Sequence, residues 1–524
     1  MPTLRTALIA AMLALAACDP PKLVNVTVPS GLLRSSPFAY DDHGEAAAGT
    51  GIRAVIALPI RDPEGLDATI AALYDPASPS FRSYLTAAAF LERYGPLQED
   101  LDAVSAWLEE SGLHVARVAK NRLLLEATGT VEQFNAAFDT ALHDCTKSED
   151  ASFHTYGHHR DLRAPAEIGK LLDAVVVADR PADPSQLPTE TGNVVNDPPT
   201  SGNLTLAAIA RDYGIAPLTA QGYDGRGAAI GVVVGAAFKL KDVQSFWRSQ
   251  GITRADPEYV ATMEPPATRF TETTLDVEWS GGLAPGAQVI VYAGPDSHDT
   301  SVVYAFNEAI GDGRVSVVTD SFAHREDTQT RVLRRQYDAS ARMAAALGIT
   351  VIAAGGDSAQ ADVPASSPFV TSVGGTVVEH DGGGQLIDER AWVLSGSGDS
   401  LTFPAPAWQA GLPIADKRAV SDVAMAGGSR YWVYVFGAWQ AYAGTSFGAP
   451  AFAGLVAVVN SARVARGKPP VGFLNSTLYT NAALQATFRD ITVGGTADHT
   501  AGPGWDYPTG WGAPNAEAIA ATIP

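Results

Sequence analysis

The chain has 524 residues, 46% of them apolar, which is enough to bury two separate cores. Its 57 acidic residues against 36 basic ones give a formal charge of -21, a balance that disfavours nucleic acid, because phosphate binding needs concentrated Lys and Arg. With only two cysteines, Cys18 and Cys145, a disulfide framework is excluded unless Cys18 is spared.

Arg5 precedes an apolar run from Ala7 to Ala17 that is too short to span a bilayer comfortably, so residues 1–17 read as a signal peptide. Leu15-Ala16-Ala17-Cys18 resembles a bacterial lipobox. That resemblance implies cleavage before Cys18 and a lipid on the cysteine as the chain's only tie to a membrane. The expectation is an exported lipoprotein, anchored before processing and periplasmic or extracellular afterwards; the alternative is an ordinary secretory signal with an incidental cysteine. No later segment reads as long and apolar enough to cross a membrane.

Residues 24–180 alternate short strands and helices. Strands are expected at Ala54 to Pro59, Val115 to Val118 and Leu123 to Ala127, and helices at Leu66 to Tyr74, Leu101 to Ser111 and Val131 to Leu142. The pattern suits a ferredoxin-like α/β sandwich, with an independent binding domain as the generic alternative. Residues 181–202 carry Pro181, Pro184, Pro188, Pro198 and Pro199 and form a linker by composition.

From residue 203 to 524 the pattern is doubly wound α/β. Buried parallel strands are expected at Ala228 to Val234, Gln288 to Ala293, Val315 to Val318 and Ile349 to Ala354, with Thr330 to Leu347 the longest helix between them. Glu272 and Asp276, four residues apart in Thr271-Glu272-Thr273-Thr274-Leu275-Asp276, share a helix face. Two like charges there are mildly unfavourable unless one carboxyl is protonated or the pair shares a proton. Asp357 follows an apolar strand, at the carboxyl end where open α/β sheets bind ligands. Gly444-Thr445-Ser446-Phe447-Gly448-Ala449-Pro450 opens a long, small-residue apolar helix. A serine there is either a cap or a nucleophile placed among unpaired N–H groups. Pro450 is expected to be tolerable there, in the first turn, where N–H groups lack intrahelical partners. None of the ten histidines lies in a setting suited to a serine's base.

With Glu272 and Asp276 in ExxLD, Asp357 in GGDS and Ser446 in GTSFGAP, in that order, the chain resembles the sedolisin family of serine-carboxyl peptidases, kumamolisin-like members included. The likeness runs from about residue 30 to the C-terminus. It implies a subtilisin-like catalytic domain behind a prodomain (24–180) that acts as an intramolecular inhibitor, with activation cleavage in the linker. Protein or peptide substrates and a monomer are expected. Residue by residue, it implies that Ser446 attacks the scissile carbonyl, Glu272 is its base, Asp276 orients Glu272 and a protonated Asp357 stabilises the oxyanion, so the enzyme works in acid. Asp490-Ile491 and Ala501-Gly502-Pro503-Gly504-Trp505-Asp506 resemble the family's Ca2+ site. The implied ligands are the side chains of Asp490 and Asp506 and the carbonyls of Ile491, Gly502 and Gly504. The chain departs from the family at Ala443, at Ser395 to Ser400, at Asp320 and at Ser421, changes that bear on specificity more than on catalysis. A catalytically silent surface-binding lipoprotein on the same scaffold is the alternative.

Overall fold

A computed structural model describes residues 25–30, 40–147, 150–178, 204–266, 271–322 and 324–524. The signal segment with Cys18 and the 181–202 linker lie outside the described residues.

The N-terminal part contains β1 (Tyr40–Glu45), β2 (Gly51–Ala57), α1 (Pro63–Tyr74), α2 (Gln98–Glu110), β3 (His114–Val118), β4 (Leu124–Thr130), α3 (Val131–Ala137), β5 (Leu142–Lys147), β6 (Asp150–His158) and β7 (Ala174–Val177). Strands β3-β4-β2-β7 form one antiparallel sheet in that order, the βαββαβ topology of a ferredoxin-like unit. Strands β1-β5-β6 form a second, three-stranded sheet that the sequence reading did not anticipate. Helix α3 starts on a capping box, Thr130 with Gln133, and stops at Ala137, five residues short of expectation. Phe134, Phe138 and Leu142 repeat every four residues and mimic a continuing helix. The chain instead turns at Asp139, whose φ is +43°, and Leu142 starts β5.

The period-two alternation of β2 decides how the two parts meet. Ile52, Ala54 and Ile56 face a core with Val104, Leu108 and Phe134, while Val55 and Ala57 face Met263 and Tyr304 of the C-terminal part. The helix side is fastened as well. The Tyr74 hydroxyl donates to the Ala345 carbonyl at 2.8 Å and accepts the Phe473 N–H at 2.7 Å. Asn121 and Asn307 exchange amide hydrogen bonds at 2.8 and 3.2 Å.

The C-terminal part contains β8 (Ala229–Val234), β9 (Glu258–Ala261), α4 (Thr271–Leu283), β10 (Gln288–Ala293), α5 (Asp299–Gly311), β11 (Val317–Asp320), α6 (Arg331–Leu347), β12 (Thr350–Ala354), β13 (Thr371–His380), β14 (Leu386–Ala391), β15 (Val423–Met425) and α7 (Thr445–Val464). The sheet order is β9-β10-β8-β11-β12-β13-β14, with β15 also paired to β13; β13 and β14 are antiparallel and every other pair is parallel. Helices cover its central strands, which are almost wholly buried and therefore read as continuous apolar runs. Helix α7, packed on α4, is long and apolar enough by itself to cross a membrane, contrary to the sequence expectation, but 94% of its apolar window is buried inside the protein. It is a core helix.

Candidate active site

The carboxyl ends of β11 and β12 and the first turns of α4 and α7 bring Glu272, Asp276, Asp320, Asp357 and Ser446 into one neighbourhood. Ser446 is the second residue of α7, after Gly444, and is partly exposed. Its side chain lies beside the Glu272 carboxyl and acts to lower that group's pKa. Burial, opposed by Ser446 and reinforced by the Asp357 charge, pushes Glu272 up to about 7. Asp276, one helical turn along α4, is fully buried, and burial together with the Glu272 and Asp320 charges raises it well above the usual carboxylate range. Glu272 and Asp276 titrate as a pair, so the proton the site holds belongs to both.

Asp357 follows β12 through Gly355 and Gly356 and opens onto the cleft. Its Oδ1 accepts the Thr445 N–H and hydroxyl, both at 2.8 Å, so the residue before Ser446 holds the carboxyl in place. Partial desolvation outweighs those bonds and raises its pKa, which favours the neutral form that can donate to an anion. A Cβ at Gly444 would stand 2.8 Å from Asp357 Oδ2, so the residue preceding Thr445 must lack a side chain.

The structure adds two residues. Ser321 donates its hydroxyl to Asp276 Oδ1 at 2.7 Å and lies 3.3 Å from the Ser446 carbonyl oxygen. Pro450 falls beyond the first turn of α7 and cannot bond back to Ser446, and Ser321 approaches the carbonyl thus left free. Asp320 is 0% exposed at the end of β11, with Val233 and Ala353 as neighbours across the sheet. Its Oδ1 accepts the Phe322 N–H at 3.0 Å, its Oδ2 has no hydrogen-bond partner among the described residues, and burial pushes it up to about 8. Its charge acts on Asp276 and it feels that of Glu272, so the departure at Asp320 sits inside the carboxyl cluster rather than in a substrate loop. Nothing in Thr319-Asp320-Ser321-Phe322 marks either residue as facing Asp276.

Two of the other departures pack behind the loop that carries Asp357. A Cβ on Gly396 would lie 1.9 Å from the Gly355 carbonyl, so the 395–400 segment packs directly on the loop carrying Asp357. Ser421 is buried and donates to the Gly396 carbonyl at 2.7 Å.

Away from the cleft, the 490 and 502–506 turns meet. Asp490 Oδ2 accepts the Gly504 N–H and Asp506 Oδ2 the Gly502 N–H, each at 2.9 Å, and Gly504 has a φ of +80°. Burial pushes Asp506 up to about 6, and the neighbouring charge acting on it is a second carboxylate, Asp490. Two carboxylates that feel each other's charge are oxygen donors of the kind a hard divalent cation takes.

The description "Pro-kumamolisin, activation domain" matches residues 39–180 and "Subtilase family" matches residues 267–512. Kumamolisin from Bacillus sp. (strain MN-32) is 32% identical over 483 residues, covering 83% of this chain and 85% of that protein. Sedolisin from Pseudomonas sp. (strain 101) is 26% identical, covering 91% and 88%, and tripeptidyl-peptidase 1 from Bos taurus is 28% identical, covering 94% of each. The solved structure of Pseudomonas sedolisin, a serine-carboxyl proteinase complexed with two molecules of pseudo-iodotyrostatin, superposes with a TM-score of 0.54 at 24% identity and covers 62% of this chain and 99% of its own, a likeness of fold. A chain with a serine beside a desolvated glutamate, behind a ferredoxin-like N-terminal unit and on this parallel sheet, thus has relatives along nearly its whole length, and it belongs to the sedolisin family of serine-carboxyl peptidases, made as a zymogen with an N-terminal activation domain.

Proposed function

We propose that the peptidase works in acid through Ser446, Glu272, Asp276 and Asp357, as an endopeptidase on protein or peptide chains. The observation that carries this reading is Ser446 set beside the raised Glu272 carboxyl, with the raised Asp357 carboxyl fixed by Thr445, the residue before Ser446. Ser446 Oγ adds to the scissile carbonyl carbon while its proton passes to ionised Glu272. The carbonyl oxygen, now an oxyanion, accepts a hydrogen bond from protonated Asp357. As the C–N bond breaks, Glu272 returns the proton to the leaving amine. Water then repeats the sequence on the acyl-serine, with Glu272 again as base. Asp276 keeps Glu272 aimed at Ser446 and is itself held by Ser321.

The acid range rests on Asp357, which stabilises the oxyanion only while protonated, whereas the raised Glu272 must give up its proton to act as base and so sets the acid limit. Burial raises Glu272, Asp276, Asp320, Asp357 and Asp362, so the site collects protons that the unfolded chain would already have released near neutrality. Ca2+, held by Asp490, Asp506 and the carbonyls of Ile491, Gly502 and Gly504, would neutralise the two carboxylates and tie the turns together. Residues 24–180 act as the inhibiting prodomain, cleavage falls in 181–202, and a lipid on Cys18 anchors the uncut chain at the cell envelope until that cleavage frees it.

The test is to bring residues 19–524, wild type beside Ser446→Ala, to about pH 4, where carboxyls near their ordinary pKa values half-protonate, and to follow chain mass and digestion of a denatured protein. The wild type should shorten at the linker and digest substrate while the variant stays whole. Two inert, full-length chains would favour the silent binding protein.

A further inference from the structure

The three-stranded sheet β1-β5-β6 of the prodomain has no part in the reading above. It is polar along most of its length and brings two histidines and an aspartate together from three separate segments. Asp42 is on β1, His143 on β5, and His159 directly follows β6. His143 Nδ1 lies 2.9 and 3.1 Å from the two Asp42 oxygens, and His159 Nε2 lies 2.7 Å from Asp42 Oδ2. The two imidazoles meet edge to face, their centroids 4.2 Å apart, and the three ligand atoms lie within 4.8 Å of one another.

The backbone builds this convergence. Asp42 pairs with Cys145 and His143 with Gly157, so the register of two strand pairs fixes where the side chains emerge. The pairing of β1 with β5 slips between Asp42 and Glu45, and Gly44 in the slip has a φ of +94°. Such an irregularity re-aims the neighbouring side chain. Its product is a hydrogen bond from the Gly44 N–H to Asp42 Oδ1 at 2.8 Å, which orients the carboxylate toward the histidines, the kind of outer support metal ligands have.

We propose that Asp42, His143 and His159 form a site for a borderline divalent transition cation, with Zn2+ as the type. Two imidazoles and one carboxylate are a donor set that such ions take, and that Ca2+, which prefers oxygen, does not. Zn2+ holds nitrogen and oxygen ligands at about 2.0–2.2 Å, which puts ligand atoms roughly 3.3 Å apart on a tetrahedron. The observed separations of 2.7 to 3.1 Å between carboxylate and imidazole need only a small outward swing. His159 is 67% exposed and Asp42 38%, so the ion has an entry path and a fourth position open to water. Bound there, it would clip β1 to β5 and to the end of β6, holding together a sheet that has little apolar surface of its own.

The test uses the full chain carrying Ser446→Ala, near neutral pH, with Ca2+ in excess to fill the oxygen site. Titration with Zn2+ alone should show one ion per chain, and His143→Ala, His159→Ala or Asp42→Asn should each weaken binding about tenfold or more. His154→Ala, whose partner is Asp144 on the same sheet, should leave it unchanged. The exposure of His159 guards against a variant that simply fails to fold. Co2+ in place of Zn2+ should give tetrahedral d–d bands without a thiolate charge-transfer band. Absence of saturable Zn2+ binding, indifference to all three substitutions, or a thiolate band from Cys145 would each overturn the assignment.

Discussion

Replacing Asp320 by Asn removes a charge the fold is poorly built to hold. The carboxyl is 0% exposed, one of its oxygens has no hydrogen-bond partner among the described residues, and its pKa rises from 3.8 to about 8, with burial the largest cause. Between those two values the folded protein keeps a proton that the unfolded chain has lost, so stability is full below 3.8 and falls as pH rises toward about 8. At about 1.4 kcal/mol per pH step, Asp320 alone costs about 4 kcal/mol at about pH 7 and almost nothing at about pH 4. Asparagine keeps the shape and the acceptor for the Phe322 N–H but carries no charge. Taking about 2.1 cal/mol/K per residue over the roughly 320 residues of the catalytic part, the difference corresponds to about 6 °C in Tm. Thermal unfolding followed by circular dichroism, with Ser446→Ala as the common background, should show Asp320→Asn melting higher near neutrality and level with its parent in acid. An offset that is the same at both pH values, or absent at both, would refute this account of the carboxyl cluster.

Other substitutions probe the remaining supports. Ser321→Ala leaves Asp276 Oδ1 without its donor and takes the hydroxyl away from the Ser446 carbonyl; a loss of about 1–3 kcal/mol, read as kcat falling about tenfold or more with KM little changed, is expected from steady-state kinetics. Gly444→Ala places a methyl 2.8 Å from Asp357 Oδ2 and should abolish peptide hydrolysis while far-ultraviolet circular dichroism stays unchanged. Removing divalent cations with a chelator should lower Tm and adding Ca2+ should restore it, whereas Asp506→Asn should make Tm indifferent to Ca2+. In the pH profile, kcat/KM should be bell-shaped: ionisation of Glu272, which must lose its proton to act as base, sets the acid limb, and loss of the proton that Asp357 donates sets the alkaline limb.

What the sequence made legible, and what it hid, divides along physical lines. Strands β8, β10 and β12 were readable because parallel strands covered on both faces become unbroken apolar runs such as Val289 to Ala293. Strand β11 was placed two residues early, since Thr319 and Asp320 look like the start of a loop; pairing of Asp320 with Val233 and Ala353 carries the strand through them. The β1-β5-β6 sheet escaped notice because strands rich in Asp, His and Thr show no apolar alternation. Glu272, Asp276 and Asp357 stood out from spacing and strand position, but their roles beside Ser446 were legible only through family motifs. That Asp276 is held by Ser321, and that Asp320 joins the buried carboxyls, depends on which strand ends meet, and no local pattern encodes that.

The central claim is that Ser446 becomes acylated with Glu272 as its base. Acid quenching during turnover of a peptide ester at about pH 4, near the ordinary carboxyl pKa values, followed by mass mapping of the digested chain, tests it most directly. The account predicts an acyl mass on the peptide carrying Ser446, at least about a hundredfold slower to form in Glu272→Gln and absent in Ser446→Ala. Turnover with no acyl adduct at Ser446, or full acylation of the Glu272→Gln variant, would contradict it.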